Sequence, residues 1–304
     1  MNVNAKYFFI LLCFLQINAQ EIKNDLSSKF LISLNEYGTL MTDFIIKNNL
    51  KEVKYINDAQ FLSKAKYEFD PELLKAEIER AVPNKNDSAI VYIDLEGEYL
   101  DNLINKNIDD DIFKKSLKLY IDVLQFAKDM RPNAKWGYYY LPFSTYWDRK
   151  ADFYEKNLKV KELISQCDIL FPSLYTFYEE KTHDWQKENE EYLKFNLENF
   201  IKIKKYYNKP IYVFVWHRYH NSNPNVGMGL IPKKTFQKHI KMIINSNFEH
   251  QKVDGIVWWG ADNYSFRQKD KTVLKEFNGT ELEYKQFNDK KLYQYLKIIE
   301  KVIK

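Results

Sequence analysis

Cysteine is nearly absent. The 304 residues contain two, Cys13 and Cys167. Cys13 falls in an N-terminal leader, so Cys167 is left alone and an intramolecular disulfide is excluded. An exported chain without disulfides must rely on core size, which this length provides. The five histidines (183, 217, 220, 239 and 250) show no ligand spacing with cysteine, so neither a metal nor another cofactor is expected. Glycine and proline number eight each, with no Pro/Gly/Ser-rich linker and no internal repeat, which argues against a domain boundary. Excess charge of one sign is missing too. The formal net charge is +4 and dispersed, too mild for a dedicated nucleic-acid binder but compatible with a polyanion held by a few local cations.

The apolar run from Tyr7 to Leu15 follows Lys6 and precedes Asn18-Ala19-Gln20. That layout reads as a secretory signal peptide, residues 1–19, and is too short for a membrane span. A secreted or periplasmic protein with one catalytic domain, 20–304, is the expectation. Ile10-Leu11-Leu12 lacks the small residues of a lipoprotein cleavage site. Oligomeric state is not written in the chain.

Aromatic residues are plentiful, 16% with 23 Tyr, 21 Phe and 6 Trp. Aromatic faces stack on sugars and nucleobases alike, though most of them fill the core. Apolar runs alternate with amphipathic stretches. Strands are predicted at 29–35, 52–56, 89–96, 135–141, 168–175, 211–216 and 255–259, and helices at about 71–82, 107–130, 151–165, 184–206, 232–246 and 289–303. Runs such as Ala89–Ile93 and Ile211–Val215 are continuously hydrophobic, as in parallel strands buried on both faces. The expected fold is α/β, a distorted TIM-like (β/α) barrel of about seven parallel strands. A doubly wound open sheet is the alternative.

Reactive residues gather at the carboxyl ends of such strands. The third strand ends in Asp94-Leu95-Glu96-Gly97-Glu98. Alternation puts Asp94 and Glu96 on one side, where mutual repulsion raises the pKa of one of them. A carboxylic acid still protonated near neutral pH can donate to a glycosidic oxygen. Glu98 shares their parity and competes for a place in the site, although Gly97 puts the strand's continuation in question. Tyr138 and Tyr140 in the next strand end are candidate sugar-contacting rings. Trp258 and Trp259 must project to opposite sides, one toward helices and one into the cavity. His217 and Arg218, with His220, Arg149 and Arg267, are candidate cations for a uronate-bearing polymer.

Taken together, these strand ends resemble the hyaluronidase family of glycoside hydrolases. There an Asp-Trp-Glu follows an apolar strand, a Trp-Gly-Tyr-Tyr opens the next, a Pro-Ser-aliphatic-Tyr closes the one after, a Tyr ends the sixth and a Trp-Gly the seventh. Here the order runs from Ala89 to Ala261, more than half the chain. The resemblance implies functional roles for Asp94, Glu96, Tyr175, Tyr219 and Trp259. Glu96 would be the general acid, Asp94 would orient the substrate's N-acetyl group, Tyr175 and Tyr219 would hydrogen-bond it, and Trp259 would wall its methyl. Leu95 departs from the family's Trp, and neither disulfides nor a cysteine-rich tail is present, which leaves substrate preference open.

The expected partner is an N-acetylhexosamine-containing polysaccharide, a polyanionic glycosaminoglycan such as hyaluronan or chondroitin. A polysaccharide lyase using a tyrosine base and a non-catalytic carbohydrate-binding protein are the rival readings. A chitinase-like barrel usually carries a longer Asp-rich run than Ala89–Glu96.

Overall fold

A computed structural model describes residues 26–304, so the signal-peptide expectation lies outside the described residues. Six parallel strands form one sheet in the order β4-β3-β2-β1-β6-β5: β1 (Phe30–Leu34), β2 (Lys51–Asn57), β3 (Ile90–Asp94), β4 (Lys135–Tyr138), β5 (Tyr212–Trp216) and β6 (Gly255–Gly260). The predicted strand at 168–175 is not a continuous ladder, because Pro172 has no N–H to donate. It nevertheless fills the gap between β4 and β5. Tyr139 bridges Phe171, while Leu170 and Ser173 bridge Ile211 and Phe214. The Phe214 N–H donates to Pro172 O at 2.7 Å and the Asp168 N–H to Trp136 O at 2.8 Å. The result is a distorted TIM-like barrel, its seventh stave held by bridges.

Strand alternation sorts the side chains into two layers. Leu31, Val53, Tyr92, Phe171, Phe214 and Val257 fill the barrel interior. Their neighbours Phe30, Ile32, Val91, Ile93, Val215 and Trp258 face the helices in the main core. The predicted 107–130 helix runs from Asp111 to Met130, capped by the Asp110 carboxylate on the Ile112 N–H. The helix before it, Gly97–Asn105, was not expected, and the predicted 151–165 helix is two, Phe153–Leu158 and Lys161–Gln166. The last helix begins earlier than its periodicity suggested, at Glu281, where Thr280 and Glu283 form a capping box. Helix Thr39–Lys47, which the hydrophobic pattern did not reveal, takes its cap from far along the chain. Asp289 accepts from the N–H groups of Gly38, Leu40 and Met41 at 2.8 to 3.2 Å. No helix among the described residues is long and apolar enough to cross a membrane.

One seam is weak. β1 and β2 pair through two positions, Leu31 with Lys51 and Ile32 with Glu52, whereas β2 and β3 share five. Beyond Ile32 the two strands part, and a cleft of about 1090 Å³ lies between them and the strand ends.

Candidate active site

The site is built on the end of β3. Asp94 is its last residue. Gly97, at φ +64°, takes a left-handed conformation that turns the chain into the following helix. The Tyr120 hydroxyl donates to the Leu95 carbonyl and pins the turn. Asp94 and Glu96 share the interior parity of Tyr92, and Leu95 between them is buried in the outer core. Asn57 lies in register with Asp94, which brings the next residue, Asp58, close. Its carboxylate accepts from the Glu96 N–H at 3.2 Å.

Three carboxyl groups therefore converge. Burial, then the charges of Glu96 and Asp58, push Asp94 up to about 7. Burial and Asp58 also raise Glu96. Glu96 is exposed as a residue, yet protein surrounds its carboxyl closely enough for desolvation to be the leading cause. The Oδ1 atom of Asp94 is buried without a hydrogen-bond partner, an arrangement that costs free energy and recurs at functional sites.

Beside Asp94 stands an aromatic box. Tyr175 packs against Trp216, Trp259 and Tyr139 with ring centroids 5.8, 6.0 and 6.2 Å away. Trp216 and Trp259 meet edge to face at 4.7 Å. The Trp216 indole N–H is buried with no partner. Asp94, Asn57, Tyr55, Trp216, Trp259 and Tyr264 line the cleft.

The structure thus brings together Asp94, Glu96, Tyr175 and Trp259, and separates the other candidates from them. Tyr138 is fully buried in the outer core and its hydroxyl donates to Tyr120 O at 2.7 Å, so Tyr139 is the cavity-side ring of β4. Gly137 explains that register, because a Cβ there would lie 2.1 Å from the Ile169 carbonyl oxygen. Tyr140 sits at φ +63° with its hydroxyl on Ser144 O at 2.8 Å and packs against the main core. Glu98 leaves with the helix and pairs with Lys66 at 3.0 Å.

His217 and Arg218 are completely buried on the helix side of β5. They meet Asp262 at 2.8 and 2.6 Å, and Arg218 also meets Glu276 at 2.5 Å, which leaves neither free for a substrate anion. Arg149 is engaged by Glu188 at 2.5 Å and Arg267 by Glu36 at 2.5 Å. Tyr219 lies in the main core, because the chain after Trp216 folds back on itself. The Tyr219 N–H donates to Gly229 O and the Met228 N–H returns to Tyr219 O, at 2.9 and 3.0 Å. Trp216 occupies the inward position at this strand end. Sequence reasoning missed Trp216, Tyr139 and Asp58. Counting alternation back from Trp216 through Phe214 would have found the first.

No protein-family model matches the chain. A stretch of 62 residues is 36% identical to hyaluronidase conohyal-ad1 of Conus adamsonii, covering 20% of this chain and 17% of that protein. A stretch of 147 residues is 25% identical to hyaluronidase conohyal-Cn1 of Conus consors, covering 46% and 29%. The matches therefore span less than a third of either relative's length. Bee venom hyaluronidase superposes with a TM-score of 0.61 at 15% identity, over 91% of this chain and all of that one. Its complex with hyaluronic acid tetramer gives 0.58 at 16% identity, over 82% and 95%. Fold and site together define a distorted β/α barrel with a cluster of carboxyls at its carboxyl-terminal mouth. Among such barrels, this chain is similar in fold to bee venom hyaluronidase.

Proposed function

We propose that the protein is an exported, endo-acting glycoside hydrolase of N-acetylhexosamine-containing polysaccharide, a glycosaminoglycan such as hyaluronan or chondroitin. The observation that carries this reading is a matched pair of unsatisfied atoms. Asp94 Oδ1 is an acceptor and Trp216 Nε1 a donor, and both are buried at one cleft without partners. A secondary amide offers the complement, an N–H for the carboxylate and a C=O for the indole. Trp259 and Tyr175 supply an apolar wall for its methyl group.

In this mechanism Glu96 protonates the leaving glycosidic oxygen and later takes a proton from water. The acetamide oxygen attacks the anomeric carbon, breaking the glycosidic bond and forming an oxazolinium ion. Asp94 holds the amide N–H and stabilises the positive charge that develops on it. Before substrate binds, burial and the neighbouring carboxyls favour retention of a proton at Asp94. Arrival of the amide, and then of the cation, favours the ionised form there and leaves the proton to Glu96. Tyr175 hydrogen-bonds near the reacting region.

The lyase alternative loses its sequence argument, since His217 and Arg218 are spent on Asp262 and Glu276. Incubating the protein with a glycosaminoglycan panel and weighing the products tests the proposal. Saturated N-acetylated oligosaccharides are expected, and unchanged polymers from every member of the panel would refute it. Export is tested by N-terminal sequencing of protein recovered outside the cell, with a start at Gln20 expected.

A further inference from the structure

Trp147 is 63% exposed, an unusual position for the largest apolar side chain. It does not hang loose. Its ring meets Tyr146 at 4.7 Å, Tyr178 at 5.4 Å and Trp185 at 6.4 Å, all near edge-on. Tyr178 in turn stacks on Trp185 at 4.8 Å with their planes 19° apart. The supports are fixed as well. The Tyr146 hydroxyl donates to Asn189 Oδ1 at 2.7 Å, the Arg149 guanidinium covers the Tyr146 ring at 5.7 Å, and the Thr182 hydroxyl accepts from the backbone N–H of Trp185 at 3.3 Å, capping the helix that carries it.

The cluster's place connects it to the cleft. Trp147 follows β4 and Tyr178 follows the 168–175 stave, so both leave the barrel at its carboxyl-terminal end, where Asp94 lies. Those two staves stand on the other side of the ring from β1 and β2, between which the cleft opens. A continuous series of rings joins the two regions. It runs from Tyr175 to His220 (5.8 Å), Phe177 (4.9 Å), Tyr146 (5.7 Å) and Trp147 (4.7 Å).

We infer that Trp147, backed by Tyr178 and Trp185, is a second sugar-binding platform, which holds a distal unit of the same polysaccharide chain that crosses the barrel mouth at Asp94. This rests on the glycan-cleaving reading above. The platform offers a ring face rather than a cation. Neighbouring charges are already paired, Glu188 with Arg149 at 2.5 Å and Glu179 with Lys181 at 2.6 Å. It therefore suits the apolar C–H face of a hexosamine unit better than a uronate carboxylate. A rigid ring held ready binds without ordering cost.

Trp147→Ala and Trp147→Phe would be compared with wild type by electrophoresis in gels containing hyaluronan or chondroitin, and by cleavage of polymer and of tetrasaccharide. The inference expects Trp147→Ala to bind polymer about tenfold more weakly and to raise KM for polymer alike. Tetrasaccharide cleavage should stay at the wild-type rate, and Trp147→Phe should recover most of the binding. Equal retardation of Trp147→Ala and wild type overturns it, as does equal loss on polymer and tetrasaccharide, or no retardation of wild type by either polymer. Retardation lost in Trp147→Ala by a protein that cleaves no glycan would keep the platform and refute the hydrolase instead.

Discussion

Trp258 and Trp259 are consecutive in the chain and lie on opposite faces of β6. The Trp258 indole N–H donates to His217 Nδ1 at 3.2 Å in the layer under the helices, while Trp259 meets Trp216 at 4.7 Å inside the barrel mouth. Substituting one should unfold the protein, and substituting the other should disarm it. Trp258→Ala is expected to cost about 3–5 kcal/mol of stability, as large-to-small changes in a packed core do, with the folded fraction turning over normally. Trp259→Ala is expected to keep most of its stability and lose turnover. Urea titrations and rates on the same preparations separate the two.

Asp262 holds the charges behind that wall. Burial alone would raise its pKa, but His217, Arg218 and Lys291 outweigh burial and hold it well below the usual carboxylate range. A depressed pKa contributes stability that is complete above the ordinary carboxyl range and is lost as pH falls through the folded value. Asp262→Ala is expected to destabilise by about 3–5 kcal/mol at neutral pH, because Arg218 and Lys291 stay buried with Glu276 as their one remaining carboxylate. The gap from wild type should narrow only in strong acid. Denaturation at several pH values measures it.

Asp94 carries the opposite sign. Its pKa rises from 3.8 to about 7, so the folded state holds its proton more tightly than the unfolded chain. That stabilising contribution is present in acid and is lost as pH rises from about 4 to about 7. Asp94→Asn should melt with wild type at pH near 4 and above it at pH near 8, while losing activity, the usual exchange between stability and a strained site. Equal melting curves at the higher pH would show that the carboxylate is not strained.

Substrate-assisted attack inverts the anomeric carbon twice. The first product should keep the substrate's anomeric configuration, and a thiazoline analogue should inhibit. Proton NMR of fresh digests reads the configuration, and an inverted product would exclude this mechanism while sparing the hydrolase. Glu98→Gln should turn over like wild type, since Glu98 is committed to Lys66.

The barrel was legible because strands such as β3 and β5 are continuous hydrophobic runs, and six of the seven expected strands stand where they were placed, the polar β2 among them. The seventh is a stave of bridges around Pro172, which cannot complete a ladder. Asp94 and Glu96 were legible for the same reason, as strand alternation from Tyr92 places them inward. Tyr138 and Tyr219 were misplaced where alternation needs a reference. At β4 the close approach of the Ile169 carbonyl to Gly137 sets which tyrosine faces inward. After Trp216 the chain doubles back through the Gly229 pairing and carries Tyr219 into the helix-side core. His217 and Arg218 looked like substrate cations because their partners, Asp262 and Glu276, lie 44 to 58 residues away. Sequence spacing does not show that.

The central claim is that Glu96 donates the proton that breaks a glycosidic bond by hydrolysis. Mass spectra of hyaluronan and chondroitin digests by wild type and Glu96→Gln test it most directly. The expected result is saturated fragments carrying one added water from wild type, with the rate in Glu96→Gln lower by about two orders of magnitude and folding unchanged. Unsaturated fragments with no added water, produced as fast by Glu96→Gln as by wild type, would contradict it.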